Sequence, residues 1–246
     1  MPESNNDALA TQTSGESALT QLEADLAASS PPKQLRLIRE IETFGATGSS
    51  VLQNFLLQQS QGEDFPNYVH GCCYELLWRS DESEIQSFLQ QHFPAGIVPL
   101  KSERNIDYAP LLKLLLQGDL QEADRITLEK LCELAGDIAV RRKWVYFTEV
   151  EQMPAMDLQT LNQLWWVHSE GKFGFTVQRQ IWLSVGRNWE NLWAKLAWKT
   201  GRTWSRYPEG FIWDLTTAPQ GHLPLSNQLR GVQAYNALLC HPAWSP

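Results

Sequence analysis

Long apolar runs are missing from this 246-residue chain. No stretch approaches the ~20 residues that a membrane-crossing helix needs, so no transmembrane segment is expected. Cysteine is sparse. Cys72, Cys73, Cys132 and Cys240 form no C-x-x-C pair and no zinc spacing, which reads as reduced thiols in a cytosolic protein. A surplus of positive charge is also missing, the formal net charge being −8. Residues 1–143 carry 12 basic and 21 acidic side chains, against 8 and 7 in residues 144–246. Such an acidic front half repels phosphates and excludes general nucleic-acid affinity. There is no P-loop, no dinucleotide-binding glycine fingerprint, no nucleophile elbow and no H-E-x-x-H helix. The segment Met1–Glu16 is polar and acidic, unlike a signal or transit peptide, so a plastid precursor is not expected and a bacterial cytosolic protein fits.

What is present is an ample apolar fraction, 43%, with 20% charged residues, enough for a folded core. Its distribution is lopsided. Ten of the eleven tryptophans lie between Trp144 and Trp244. A buried indole needs a partner for its N–H. So many in one half suggest a hollow lined with rings, able to hold a large, flat, apolar molecule. The competing reading, an aromatic core, is preferred for Trp165, Trp166, Trp182, Trp189 and Trp193, which recur at helical spacing.

The apolar period predicts an all-α protein without β-hairpins. Residues 1–16 read as a disordered tail. Residues 17–93 read as a small bundle of five short helices, with a HEAT-like stack as the alternative. Phe93-Pro94-Ala95-Gly96 marks a boundary before a second domain over 96–246. There Tyr108–Leu116 and a helix capped by Asp119, with Glu122 completing a capping box, form an αα-hairpin. Asp157, Thr176 and Asn188 are read as helix starts, and Pro224 as the first turn of the last helix. Between Trp198 and Gly221 no helical period survives, yet Trp204, Tyr207, Phe211 and Trp213 sit there. Leaving such side chains exposed forgoes roughly 1.5–3 kcal/mol each, so the stretch reads as a loop that closes over a ligand.

A pocket for a planar macrocycle needs ring-stacking walls and cations for its carboxylates. The candidate walls are Phe147, Val150, Trp204, Tyr207, Phe211 and Trp213; the candidate cations are Arg206 and Arg230. His168 reads as a helix-end residue. His222 reads as a turn residue making hydrogen bonds, with an axial haem ligand as the bolder alternative. Glu149 and Glu151, at i, i+2, would not share a helix face and are not read as a catalytic pair.

Several stretches are distinctive in order and content: Ile106-Asp107-Tyr108, Glu122-Ala123-Asp124, Leu131-Cys132-Glu133-Leu134-Ala135-Gly136, Tyr146-Phe147-Thr148-Glu149-Val150, Leu164-Trp165-Trp166, Phe173-Gly174-Phe175-Thr176-Val177-Gln178-Arg179, Trp204 to Pro208, Gly221-His222-Leu223-Pro224 and Leu229-Arg230-Gly231. Through them, residues 97–246 resemble the genomes-uncoupled-four family, and the tail His241-Pro242-Ala243-Trp244 is similar to its cyanobacterial members. The resemblance implies an all-helical cupped hand with mobile loops and no catalytic centre. It implies binding of protoporphyrin IX and magnesium protoporphyrin IX, and stimulation of magnesium chelatase in chlorophyll biosynthesis, acting with that enzyme's large porphyrin-binding subunit. Phe147 and Val150 match wall positions, and Asn227 and Arg230 match polar positions on the final helix. A close relative has tryptophan where this chain has Tyr207, which stacks with less area. The expectation is a cytoplasmic monomer able to associate peripherally with thylakoid membranes. The alternative is a helical interaction adaptor without a tetrapyrrole ligand.

Overall fold

The computed structural model describes residues 17–225 and 232–245; the expected tail, Asn227 and Arg230 lie outside the described residues. The chain divides into two compact units, Met1–Pro94 and Ala95–Pro246. Both are helical, as the apolar period predicts.

In the first unit, helical residues 17–28 (α1) are followed by α2 (Pro31–Glu42), α3 (Ala46–Gln59), α4 (Tyr68–Trp78) and α5 (Ser83–His92). Pro31 and Pro32 open α2, where their missing N–H groups would have no intrahelical partner anyway. Helices α2, α3 and α4 pack mutually around Ile38, Ile41, Leu52, Leu56, Val69 and Cys73. Gly48 permits the approach of α3 to α2, since a Cβ there would lie 2.0 Å from the Ile41 carbonyl oxygen. Asn67 caps α4: its side chain accepts from Val69 and His70, and His70 Nδ1 accepts from the Asn67 backbone N–H at 3.1 Å.

In the second unit, α6 (Ala109–Gln117) and α7 (Leu120–Ala135) form the expected hairpin. Gly118 ends α6 at φ 72°, and the Asp119 carboxylate accepts from Glu122 N–H at 3.1 Å. The full capping box does not form, because the Glu122 carboxylate turns to Arg125 instead. Then come α8 (Asp137–Arg142), α9 (Phe147–Val150), α10 (Ala155–Val167), α11 (Phe175–Ser184), α12 (Trp189–Lys195), α13 (Val232–Leu239) and a closing 3-10 turn, Pro242–Trp244. Asn188 caps α12 as expected, accepting from Asn191 N–H. Asp157 is not a cap. It lies inside α10, fully buried, and accepts from Tyr108 Oη at 2.8 Å, from Glu103 N–H at 2.9 Å and from the Ser102 hydroxyl. Thr176 is likewise one residue inside its helix, donating to Asn162 Oδ1. Pro224 sits in a non-helical turn. The chain also contains a β-hairpin that periodicity does not reveal: β1 (Lys199–Thr200) pairs antiparallel with β2 (Thr203–Trp204). Two-residue strands are too short to show an alternation.

The crowded tryptophans form a solid stack. Successive ring centroids of Trp182, Trp189, Trp193 and Trp198 lie 4.9, 5.3 and 5.6 Å apart, and Tyr235 of α13 packs on three of them. Trp198 donates its indole N–H to His222 O, and Trp165 donates to Thr127 Oγ1. This half of the aromatic content is core, welding α11, α12 and α13 together.

Candidate functional site

One open groove lies along α7. This helix buries Leu120, Ala123, Leu131 and Leu134 but leaves a second strip half-covered. Gly136, at φ 99° and ψ 177°, ends α7 and starts α8, turning the chain back so that α8 packs against α7. Between the two helices runs a groove of about 500 Å³ lined by Arg125, Leu128, Glu129, Cys132, Glu133, Val140 and Lys143. Its floor is apolar. Burial pushes the Cys132 thiol up to about 11, so it stays protonated and acts as a small apolar group. Leu128 also borders a void of about 10 Å³ with Leu131, Val145, Val150, Ala234, Tyr235 and Leu238. The groove face of α7 thus continues into the place where α9 and α13 meet.

The wall beyond α8 is built on Arg142. Its guanidinium lies 4.3 Å from the Trp144 ring centroid and 4.2 Å from that of Tyr146, and donates to Glu149 Oε2 at 2.5 Å. Glu149 Oε2 also accepts from the Tyr146 N–H, capping α9. Glu149 is therefore committed to structure, while Glu151 is exposed and apart from it. The outcome is unusual for a surface. Ile138, Val140, Tyr146 and Phe147 all remain exposed, four large apolar side chains within ten residues.

The expected site residues fall into two groups. Phe147 is 40% exposed on α9, and Val150, one turn on, is buried against the floor. Tyr207, Phe211 and Trp213 form a second cluster with centroids 5.7–6.2 Å apart. Tyr207 is its exposed face, Phe211 is buried beneath, and Trp213 is fixed by its indole N–H bond to Pro208 O. Gly210 makes the tight loop feasible, because a Cβ there would lie 2.5 Å from Arg206 N. Partial burial, reinforced by the charges of Asp124 and Glu122, pushes the Tyr207 phenol up. Trp204 and Arg206 stand in a separate open cleft of about 620 Å³ with Arg202 and Tyr207. Lys199 Nζ lies 5.3 Å from the Trp204 ring centroid.

The turn below this loop is heavily pinned. His222 is fully buried: Nδ1 bonds to Leu196 O at 2.6 Å and Nε2 accepts from Ile212 N–H at 2.9 Å. Burial lowers its pKa, and both ring nitrogens are engaged, so an axial-ligand role is excluded. Gln178 donates to Gly221 O and Pro224 O and accepts from Tyr235 Oη. Asp124 Oδ1 accepts from Leu225 N–H at 2.6 Å. Periodicity missed Leu128, Cys132, Ile138, Val140 and Lys143. The available signal was the segment Ile138–Lys143, where two large apolar residues precede three cations on a helix too short to bury both.

Comparison with known proteins places the chain. The GUN4-like profile matches residues 101–242, more than half of the sequence. The chain belongs to the GUN4-like family. A second profile, the ARM-like repeat domain at the GUN4 N terminus, matches residues 10–94 and describes the stacked-helix form of the front unit. The family member named Ycf53-like protein of Synechocystis is 48% identical over 227 residues, covering 92% of this chain and 97% of its own length. The tetrapyrrole-binding protein of Arabidopsis thaliana chloroplasts is 37% identical over 139 residues, 53% of this chain and 52% of that protein. Among solved structures, GUN4 of Chlamydomonas reinhardtii matches with a TM-score of 0.56 at 41% identity, covering 60% of this chain and 95% of that one. Ligand-free GUN4 of Arabidopsis thaliana matches at 0.53 and 36%, covering 59% and 99%.

Proposed function

We propose that the face of α7 walled by α8, α9 and the Tyr207 loop binds protoporphyrin IX and magnesium protoporphyrin IX, and that the loaded protein stimulates magnesium chelatase. It would do so as a non-catalytic accessory, meeting that enzyme's large porphyrin-binding subunit. The observation that carries the reading is the exposed apolar wall Ile138–Phe147 beside an apolar-floored groove. Large apolar side chains left bare together beside a groove mark a binding face. A tetrapyrrole covers it with its disc and keeps its carboxylates at the rim. The Arabidopsis relative's name supports the ligand class. A peripheral encounter with thylakoid membranes belongs to the same reading; among the described residues no helix is long and apolar enough to cross a membrane.

The test is titration of the full chain with deuteroporphyrin. Tryptophan quenching and a Soret shift are expected with a dissociation constant near ~1 μM or tighter, roughly −8 kcal/mol. Phe147→Ala should weaken binding. Saturating porphyrin that leaves both signals unchanged would overturn the reading. Capture of the chelatase subunit should then be porphyrin-dependent; capture indifferent to porphyrin would favour the adaptor role.

A further inference from the structure

The reading above leaves open which group receives the ligand's carboxylates, and it is on that reading that the following rests. Most cations around the groove are already committed. Arg125 is paired with Glu122 at 2.5 Å and with Glu129. Lys130 is held by Glu133 at 3.0 Å. Arg142 is held by Glu149, by the Trp144 carbonyl and by two aromatic faces. Lys143 is different: it lines the groove, and its ammonium has no partner among the described residues.

Its backbone makes the exception sharper. Lys143 is the C-cap of α8 at φ 62° and ψ 33°, in the left-handed region. That position closes a helix by donating its N–H to the Ala139 and Val140 carbonyls, a task glycine or asparagine performs without Cβ strain. Lysine is the poorer choice for the turn, so the turn alone does not explain it. Lys143 lines the groove at the end of a three-cation run whose middle member, Arg142, is locked. Such a strained non-glycine residue beside a cleft points to a role in the cleft.

We infer that Lys143 is the carboxylate-anchoring residue of the groove, selecting tetrapyrroles that carry free propionates over their neutral esters. Glu129 and Glu133, also in the lining, are already held by Arg125 and Lys130.

The experiment compares deuteroporphyrin with its dimethyl ester on the full chain, in one detergent-containing buffer, for the native sequence, Lys143→Asn and Lys143→Arg. Asparagine keeps the left-handed cap and removes the charge; arginine keeps the charge. Lys143→Asn should weaken the free acid by about five- to tenfold, as loss of a charge-assisted contact does, with the ester unchanged within about twofold. Lys143→Arg should retain native affinity for the acid. Added salt should weaken the acid for the native chain more than for Lys143→Asn. Equal losses for acid and ester, or no loss for either, overturn the anchoring role while leaving the porphyrin site intact. Failure of the native chain to bind either compound overturns the site itself.

Discussion

Asp124 shows how one side chain ties a site to pH. It is buried on α7, one residue before Arg125 of the groove lining, and holds Leu225 N–H at 2.6 Å. Burial pushes its carboxyl up to about 8, against the lowering effect of that hydrogen bond. A carboxyl raised in the folded state above its ordinary value near 4 favours folding while protonated. That stabilisation is complete below about pH 4 and is lost as pH rises through about 8. Thermal melts of the native chain should therefore fall in midpoint from pH 6 to pH 8.5, and Asp124→Asn, whose Oδ1 still accepts from Leu225, should flatten that fall. A variant with the native slope would show that Asp124 is not its source. Cap chemistry at Asp119 and Asn188 was legible because it is local. The role of Asp124 was not, since its partner lies 101 residues away.

At the scale of the element, the short α8 decides whether there is a groove at all. Its course depends on Gly136, whose backbone angles lie where only glycine is comfortable, and an added Cβ there would meet nothing within 4 Å, so a substitution acts through the backbone alone. Gly136→Ala should cost about 1–3 kcal/mol from backbone strain alone. It should also weaken porphyrin binding, as α8 shifts and Val140 and Lys143 leave the lining. A calorimetric melt and the deuteroporphyrin titration check both; lost stability with intact affinity would separate α8 from the site. The helices of the αα-hairpin were readable from period and breakers. The two-residue strands and the Asp157 buried hub were not, because neither leaves a periodic trace.

Taken as a whole molecule, the two units carry opposite responses to acid. In the front unit, burial lowers His70 to about 4, and its Nδ1 accepts a backbone N–H that protonation would remove. A histidine lowered below its ordinary value near 6.5 contributes stability that is complete above that value and is lost as pH falls through about 4. The back unit, through Asp124, loses stability in the other direction. Amide hydrogen exchange read peptide by peptide, corrected for intrinsic rates, should loosen residues 17–94 on going from pH 7 to 5. It should loosen 95–225 on going from pH 6 to 8.5. Parallel changes in both would contradict separate titrating cores. The amino-acid sequence alone determined the helical class and the rich supply of rings, because helix period and composition are properties of the chain itself. Which rings stack into a core and which stay bare could not be read there. That partition depends on which helices share a face, and only folding brings Tyr235 onto the tryptophans while leaving Phe147 and Tyr207 uncovered.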